Sequence, residues 1–357
     1  MSNNFRLLLL SRYGSLGASS RVRYLQYLPY FRSQGVVVSV EPLFSDDYLA
    51  ALYKGGSRWR QVLAGYWRRL RVLFHVRRFD GVIVEKELFP FLPAVTERFL
   101  RVIGVPYVVD YDDALFHRYD CHSNALVRGL LGGKIDVVMR HAALVVAGNE
   151  YLAERARLAG APCVEVIPTV VDTARYEPSP YGVNEVPVVG WIGTPQTSHY
   201  LKFLLPVFEA LQHEIPVRFV AVGARSEDFA GTPVEVRPWS EETEVESIQQ
   251  FDIGIMPLEN SPWERGKCGY KLIQYMACGV PVVASPVGVN EEIVLPEESG
   301  LFAERPEDWE HALRNLLGMG ESTRRSMGRA GRKRAEDWYS LRAQAPRLFN
   351  AIRAATR

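Results

Sequence analysis

Short apolar runs alternate with amphipathic segments along the first half of the chain. Runs of branched aliphatic residues bounded by turn residues are typical of buried strands. Such runs lie at residues 5–11, 36–42, 79–84, 105–110, 144–149 and 164–168. Apolar residues at intervals of three and four predict helices between several of these runs, among them 22–34 and 150–158. Because strands and helices alternate, the pattern predicts a parallel sheet covered by helices on both faces.

The same alternation begins again after a proline-rich passage at 176–182. Further elements are predicted as strands at 186–192, 217–222, 234–236, 253–256 and 280–284 and as helices at 199–213, 241–250, 306–317 and 335–355. We therefore predict an α/β fold with two Rossmann-like, doubly wound parallel-sheet domains. The first domain spans 1–176, a linker follows at 177–184, and the second domain spans 185–334. A final helix at 335–357 is expected to cross back to the first domain.

The helix predicted at 57–78 is unusual because it carries many arginines and no acidic residue. Its apolar residues, which include Trp59 and Trp67, recur at helical spacing. A basic amphipathic helix with tryptophan on its apolar side is suited to an anionic membrane surface. The same pattern also fits a domain helix whose apolar stripe packs on the sheet and whose arginines face solvent. The sequence leaves both interpretations open.

Composition and charge limit the possible functions. The chain has 357 residues, of which 47% are hydrophobic and 23% charged, as in soluble globular proteins of two domains. The formal net charge of +1 argues against general polyanion binding, so we expect no nucleic acid partner. The four cysteines form no C-x-x-C pair, which favours a reducing cytoplasm without a zinc site or disulfides. The aliphatic run at 7–10 is too short for a signal peptide or a spanning helix.

Small-residue turns follow the first strand of each predicted domain. Gly14 and Gly17 come after the strand at 5–11, and Gly193 and Thr194 come after the strand at 186–192. Turns at the carboxyl ends of such strands hold ligands in doubly wound folds. The first turn lacks the G-x-G-x-x-G pattern of dinucleotide sites, so an NAD-linked dehydrogenase is not favoured.

The most informative stretch is 263–285, where a basic loop precedes a short helix and an apolar run. Gly266 and Gly269 let the backbone come close to a ligand. Lys267 and Lys271 supply positive charge next to the unpaired amides of the first helical turn. These features predict a phosphate-binding site. The alternative is a surface helix with two solvated lysines.

Three segments resemble family 4 glycosyltransferases. They are 167–172 (IPTVVD), 251–258 (FDIGIMPL) and 276–288 (MACGVPVVASPVG), and the likeness is strongest from 251 to 293. The resemblance implies the GT-B fold, in which two Rossmann-like domains face each other across a cleft. It also implies that the second domain holds a nucleotide sugar, the first holds an acceptor, and transfer proceeds without a metal and with retention at the anomeric carbon.

The resemblance and the turn chemistry together imply a set of donor-binding groups: Gly14, Gly17, Gly193, Thr194, Lys267, Gly269, Tyr270 and Lys271. Two departures from the family pattern affect this set. The family has a pair of glutamates where this chain has Gly266 and Gln274. The amide oxygen of Gln274 is able to bind ribose hydroxyls, whereas Gly266 cannot replace an acid, and Glu259 or Glu264 is the substitute considered. The Arg and Lys that the family has after the first strand of the second domain are also absent, so we infer that their charge has moved to Lys267 and Lys271.

Other residues have a functional and a structural interpretation. Trp239 is a candidate for the base pocket, although tryptophan is more often a packing residue. Glu292 is expected near the donor or, alternatively, in solvent. Asp113 and His117 lie near the place of the family's His-Asp pair beside the reacting sugar, while helix capping is the structural alternative for the aspartate. With Lys271, they are the candidate catalytic residues.

The leading hypothesis is a hexosyl transfer from a UDP- or GDP-type sugar donor, without cofactor or metal, to a glycan or lipid-linked acceptor. Such a reaction would serve the synthesis of cell-surface polysaccharide or glycolipid. The enzyme would be cytoplasmic and peripheral at the inner membrane face through residues 57–78. The alternative is a non-catalytic GT-B protein that binds a nucleotide sugar or glycan within an assembly complex. The missing glutamates favour the alternative, and the lysines favour the enzyme.

Overall fold

The computed structural model describes residues 5–53, 59–178 and 184–356. They form two compact units. Unit 1 contains the described residues up to 169 together with 266–268 and 344–356, and unit 2 contains those of 170–265 and 269–343. Residues 57–58 of the predicted basic helix and 179–183 of the predicted linker lie outside the described residues.

The sheet of unit 1 has six parallel strands in the order β2-β1-β3-β4-β5-β6. They are β1 Arg6–Leu10, β2 Val37–Val40, β3 Gly81–Glu85, β4 Tyr107–Tyr111, β5 Leu144–Ala147 and β6 Val164–Val166. The central strands β3, β4 and β5 are buried along their whole length, as expected for a parallel sheet covered on both faces.

Unit 1 contains nine complete helices within the described residues. They are α1 Ala18–Arg23, α2 Leu28–Ser33, α3 Asp46–Tyr53, α4 Trp59–Leu73, α5 Val95–Val102, α6 His117–Asp120, α7 Ala125–Leu131, α8 Lys134–His141 and α9 Glu150–Leu158. Short 3-10 helices at Leu25–Tyr27 and Val76–Arg78 follow α1 and α4. The side chain of Asn149 caps α9 by accepting from the Leu152 amide at 3.0 Å.

Unit 2 has a second sheet of six parallel strands, in the order β12-β11-β10-β7-β8-β9. The strands are β7 Val188–Ile192, β8 Arg218–Val222, β9 Val234–Arg237, β10 Ile253–Met256, β11 Val282–Ala284 and β12 Gly300–Phe302. The helices are α10 Leu205–Glu214, α11 Glu244–Gln249, α12 Pro262–Arg265, α13 Tyr270–Ala277, α14 Asn290–Ile293, α15 Pro306–Gly318 and α16 Glu321–Trp338, with 3-10 helices at Ser198–Leu204 and Ser226–Phe229. The predicted α/β class with two doubly wound parallel sheets is confirmed.

Strand order reverses once in each sheet, between β1 and β3 in unit 1 and between β7 and β10 in unit 2. Connections leave such a point on opposite faces of the sheet, so the carboxyl ends of the two strands open into a crevice. Each unit therefore has one edge that is suited to a ligand, and the functional residues are best sought there.

The helix predicted at 335–355 is interrupted in the structure. Helix α16 ends at Trp338, and α17 begins anew and spans Leu341–Ala355. The break has a local cause, because the backbone of Val171 pairs with Tyr339 and Leu341 on either side of Ser340. The Ser340 hydroxyl then accepts from the Ala343 amide at 3.1 Å, as an N-cap does. The sequence pattern also missed α3 and the three-residue strand β12.

Helix α4 packs with a different face from the one its pattern suggests. Arg69 is buried and donates to the backbone oxygens of Ser11 and Glu41, at 2.7 and 3.1 Å. Trp59 and Trp67 instead stay exposed. The interpretation of α4 as a domain helix is therefore correct only in part. Tyr66 and Leu73 of the apolar stripe pack against the unit 1 core, but Arg69 turns inward and the two tryptophans stay exposed. Across the described residues, every helix is too short or too polar to cross a membrane.

Candidate functional site

The turns after β7 and β8 meet at the carboxyl edge of the unit 2 sheet. Gly223 has a φ of 78°, and a Cβ atom there would lie 2.3 Å from the carbonyl oxygen of Gly193. Only glycine fits this close approach of two backbones. The amide of Thr194 is held by the hydroxyl of Thr197 at 3.2 Å. The predicted pair Gly193 and Thr194 thus lies in an ordered turn at the point where strand order reverses.

Helix α13 begins at the same edge. Gly269 precedes it in the left-handed region, with a φ of 62°, and a Cβ atom there would be 2.2 Å from Ile293. The ammonium of Lys271 lies 5.4 Å from the centre of the Trp191 ring. The Trp191 ring also lies against the α-carbon of Gly193. A Cβ atom added to Gly193 would be 2.4 Å from the nearest ring atoms. The structure therefore brings Lys271 to the Gly193 turn, as a shared phosphate site requires.

A buried hydrogen-bond network connects the other predicted donor residues. The amide nitrogen of Gln274 donates to the Tyr176 hydroxyl at 3.0 Å, and that hydroxyl in turn donates to Glu244. The indole N–H of Trp239 donates to the second Glu244 oxygen at 2.8 Å. The hydroxyl of Tyr270 lies 3.3 Å from that of Tyr176. Burial raises the pKa of Tyr176 well above its usual range, and Tyr270 and Glu244 reinforce the shift, so the phenol stays protonated.

This network contains two residues that sequence reasoning missed, Tyr176 and Glu244. Gln274 is only 3% exposed, while Trp239 is 39% exposed. Glu244 belongs to the acidic helix predicted at 241–250, and its burial is the signal that sequence alone could not supply. The roles of Gln274 in ribose binding and of Trp239 in base binding stay predictions.

The acids considered as substitutes for the missing glutamate differ in their surroundings. Glu264 is buried, and its carboxylate accepts from the hydroxyls of Tyr200 and Ser261. Glu259 is exposed in the loop after β10. Glu292 is exposed on the short helix α14. The carboxylate of Glu264 is thus already engaged within unit 2.

Residues 266–268 belong to unit 1, whereas Lys271 and Gln274 belong to unit 2. A Cβ atom on Gly266 would lie 2.5 Å from the Cβ atom of Ala114 and 2.7 Å from its amide nitrogen. The position therefore has no room for a glutamate. Cys268 is buried beside it and donates to the Asp112 carbonyl at 3.1 Å. The Lys267 carbonyl accepts from the Asn149 side chain at 2.9 Å.

The carboxyl edge of the unit 1 sheet holds Lys86, Asp112 and Asp113. Lys86 follows β3 with a φ of 68°, rare for a residue with a side chain, and its ammonium lies 2.8 Å from Asp112 and 3.5 Å from Asp113. Burial would raise the pKa of Asp112, but Lys86 and the Ser19 hydroxyl at 2.6 Å outweigh it and lower the pKa to about 2.

Asp113 is the more exposed of the two carboxylates, with 35% of its side chain accessible. Burial raises its pKa, and the neighbouring Asp112 carboxylate adds to the rise against the opposing charges of Lys86 and Lys267. The candidate catalytic residue Asp113 follows β4 and thus lies next to the reversal point of strand order, 3.5 Å from Lys86, with a proton affinity above that of an ordinary aspartate.

Buried ion pairs lie next to this edge of the sheet. Arg23 forms two hydrogen bonds with Asp110, at 2.5 and 3.1 Å, and Glu87 is paired with both Arg12 and Lys134. Burial raises the pKa of Asp110 to about 6 although Arg23 opposes the rise. The turn with Gly14 and Gly17 lies at the same edge, after β1.

His117 belongs to a different group of side chains. Its Nδ1 atom lies 2.9 Å from Asp120 and its Nε2 atom 2.9 Å from the Tyr151 hydroxyl. Among the described residues, His117, Asp120 and Cys121 are close enough together to hold a metal ion. The guanidinium of Arg155 lies 3.3 Å from Asp120 and already supplies the positive charge there. The structure therefore does not bring His117 into hydrogen-bond contact with Asp113.

Comparison with known proteins points to one group of enzymes. Residues 186–319, which belong to unit 2 except for 266–268, match the model of the family described as glycosyl transferases group 1. No curated protein shows significant sequence similarity to the chain.

Solved structures resemble the whole chain. Sucrose-phosphate synthase from Thermosynechococcus elongatus aligns over 98% of both chains with a TM-score of 0.73 and 14% identity. A glycosyltransferase from Rickettsia africae aligns over 99% of both chains with a TM-score of 0.70 and 13% identity. Anabaena HepE in complex with UDP aligns over 98% of this chain and 100% of its own, with a TM-score of 0.67 and 15% identity. At these identities the likeness shows the fold, which is the predicted GT-B fold.

Proposed function

We propose that this protein is a glycosyltransferase that moves a sugar from a nucleotide diphosphate sugar to an acceptor. The observation that carries the proposal is the constellation at the carboxyl edge of the unit 2 sheet, inside the region that matches the family model. There the glycine turns after β7 and β8 meet, and Lys271 stands against the ring of Trp191. The structures of HepE with UDP and with UDP-glucose support a UDP-type donor, with GDP as the second possibility.

In the proposed reaction, the bond between the anomeric carbon and the donor phosphate loosens, and negative charge builds on the leaving diphosphate. Lys271, the first-turn amides of α13 and the Gly193 turn stabilise that charge. We propose that transfer is metal-independent and proceeds with retention, so that a phosphate oxygen takes the acceptor's proton. Asp113 then orients the acceptor hydroxyl by accepting its hydrogen bond, because its carboxylate is partly exposed at the sheet edge and is held in place by Lys86.

The acceptor is proposed to be a glycan or a lipid-linked sugar in cell-surface polysaccharide or glycolipid synthesis, and the transferred sugar a hexose. Helix α4 supports a lipid-linked acceptor because its tryptophans face outward among arginines. Such a protein would work at the cytoplasmic face of a membrane.

One observation favours a second candidate function, a non-catalytic protein that binds a nucleotide sugar. Gly266 stands where the family has a glutamate that touches the donor sugar, and its contact with Ala114 leaves no space for an acid. A panel of UDP-, GDP- and dTDP-sugars separates the two functions. Slow release of free sugar by the purified protein supports the transferase, whereas nucleotide binding without any turnover supports the second candidate.

The donor site itself is tested by Lys271→Ala. Loss of a charge-assisted phosphate contact costs about 1.5–3 kcal/mol, so affinity for UDP or GDP in calorimetry should fall about tenfold or more. Lys333→Ala is the matched control, because Lys333 is an exposed lysine of α16 paired with Asp337. Equal affinities of the Lys271 variant and the unaltered protein would contradict the proposed site.

A further inference from the structure

Helix α4 exposes an apolar stripe. The stripe recurs at intervals of four, four, three and four residues and consists of Trp59, Leu63, Trp67, Leu70 and, just past the helix end, Phe74. Trp67 is 65% exposed and Phe74 is 84% exposed. The opposite side of the helix is buried through Gly65 and Arg69, and Tyr66, Val72 and Leu73 pack against the unit 1 core. Among the described residues of unit 1, the stripe itself is left exposed.

A second apolar stripe lies on α5 and on the loop before it. Val95, Phe99 and Val102 share one side of α5, and Val102 is 82% exposed. Phe91 and Leu92 in the preceding loop are exposed as well. The other side of α5 is anchored in the core by Leu100. Two neighbouring segments of unit 1 thus leave large apolar side chains in solvent.

Both stripes lie on the same face of the unit 1 sheet. The connections from β2 to β3 and from β3 to β4 run in the same direction across the sheet, and right-handed crossovers then place α4 and α5 on one face. Direct contacts join the two segments. The Tyr66 ring lies 5.2 Å from the Phe89 ring, and Arg77 donates to the Ile103 carbonyl at 3.2 Å. We call the exposed residues of α4, of α5 and of positions 91–92 the apolar surface of unit 1.

The charges around the apolar surface are positive. Arg60 and Arg71 flank the α4 stripe, and Arg98 and Arg101 are exposed on α5. The acidic residue of α5, Glu97, is buried inside the fold. It is 1% exposed and accepts a hydrogen bond from the Leu88 amide. A cavity of about 360 Å³ opens beside Arg71 and His75 at the arginine side of α4, with Glu41 also in its wall. An apolar stripe bordered by guanidinium groups matches the boundary between acyl chains and anionic headgroups.

We propose that the apolar surface of unit 1 docks on an anionic lipid bilayer. The tryptophans and phenylalanines enter the boundary between headgroups and acyl chains, where amphipathic rings are most stable. The arginines beside them bind lipid phosphates, and α4 lies parallel to the bilayer plane. The proposal does not depend on sugar transfer, since no residue of the apolar surface belongs to the proposed donor site.

The charge pattern favours a bilayer over a second copy of this chain. A symmetric dimer buries the same patch on both subunits, so Arg60 and Arg71 of each copy would face the arginines of the other. Juxtaposed like charges oppose such an interface. An anionic bilayer neutralises all of them.

Vesicle flotation with the full chain tests the proposal. The protein should float with vesicles of phosphatidylcholine and phosphatidylglycerol and should stay at the bottom with phosphatidylcholine alone. Flotation should decline as salt is raised, because exposed charges are screened. Sedimentation with both kinds of vesicle, or equal flotation with both, would overturn the proposal.

Three variants locate the contact. Trp59→Ser with Trp67→Ser should abolish flotation. Arg60→Gln with Arg71→Gln should lower vesicle affinity roughly twenty-five-fold, at roughly fivefold for each arginine. Val95→Ser with Phe99→Ser should weaken vesicle binding less than the tryptophan substitutions do. Trp338→Ser changes an exposed tryptophan of unit 2 and is the matched control, which should float like the unaltered protein.

Two further measurements keep the result interpretable. All substituted side chains are exposed, so the thermal unfolding temperature should stay unchanged, and UDP binding by the two tryptophan substitutions should equal that of the unaltered protein. Gel filtration without lipid should give one elution volume for every variant. If the unaltered protein elutes as a dimer that the tryptophan substitutions dissociate, the surface is a protein interface and the proposal is wrong.

Discussion

The two sheets share one architecture, but different chemical groups line the carboxyl edge of each. The edge of unit 1 consists of charged side chains that pair with one another, such as Arg23 with Asp110 and Lys86 with Asp112. The edge of unit 2 consists of glycine turns, with Gly223 against Gly193, and of hydroxyl, indole and amide groups that are hydrogen-bonded around the Glu244 carboxyl group. The topology therefore fixes where an edge lies, whereas the side chains decide what it can bind.

This difference separates two kinds of binding. Paired charges fix their own positions, so the unit 1 edge is suited to hold an acid such as Asp113 rigidly, as the proposed contact with a neutral acceptor hydroxyl requires. A lysine next to a glycine turn at the start of a helix suits the doubly negative diphosphate of the proposed donor, which would be repelled by the carboxylates of the other edge. A transferase needs both kinds of edge, one for each substrate.

The largest expected effect comes from breaking a buried ion pair of unit 1. Arg23→Met removes the partner of Asp110 and leaves a buried carboxylate without its counter-charge. The substitution should lower the free energy of unfolding by about 3–5 kcal/mol. Hydrogen exchange of the β4 peptide bonds, measured in the native protein, reports the loss locally.

The control for this experiment is Arg218→Met in unit 2. Arg218 pairs with Glu235 at 2.6 Å, but both side chains are nearly half exposed. The substitution should therefore change stability by about 0–1 kcal/mol. Similar costs for the two substitutions would show that unit 1 does not depend on its buried charges.

The next effect concerns the backbone of the unit 2 edge. Gly223→Ala places a methyl group 2.3 Å from the Gly193 carbonyl oxygen and forces alanine into the left-handed region, which should cost about 2–4 kcal/mol. Affinity for UDP should fall together with the free energy of unfolding, because the added methyl group forces the Gly193 turn to move. Urea unfolding and calorimetry measure the two quantities.

Gly231→Ala is the matched control for Gly223→Ala. Gly231 also has a positive φ, of 76°, but no atom lies within 4 Å of the position of its Cβ. The cost should be limited to about 1–2 kcal/mol of backbone strain, with UDP affinity unchanged. If both substitutions weaken UDP binding equally, the close approach of the two turns is irrelevant to the site.

The smallest effect concerns pH. Burial raises the pKa of Glu97, and hydrogen bonds from Leu88 and from its own backbone only partly oppose the rise. A carboxyl group with a raised folded-state pKa contributes stability that is complete below its unfolded pKa and is lost as pH rises through the folded one. Glu97→Gln, which stays neutral, should therefore gain stability relative to the unaltered protein as pH rises from 4 to 8. A difference in unfolding free energy that is constant with pH would contradict the raised pKa.

Sequence patterns predicted the strands well because each buried parallel strand is a continuous apolar run, as in β3 and β10. They failed where tertiary contacts override a local pattern. Arg69 turns inward and donates to two backbone carbonyl oxygens from other parts of the chain, and no periodicity reveals these partners. Likewise, Lys271 and the Gly193 turn were predictable from local chemistry. The link from Gln274 through Tyr176 to Glu244 was not, since its two hydrogen bonds join residues 98 and 68 positions apart.

The last helix has a consequence for the order in which the protein folds. Residues 344–356 belong to unit 1, where Phe349 packs on Phe31 and Thr356 lies against Gly81. Unit 2 is thus inserted within the chain of unit 1. Domains generally fold as units while the ribosome makes them. Unit 2 is able to finish as soon as its own residues have emerged, whereas unit 1, although synthesis of it begins first, waits for a segment made after all of unit 2.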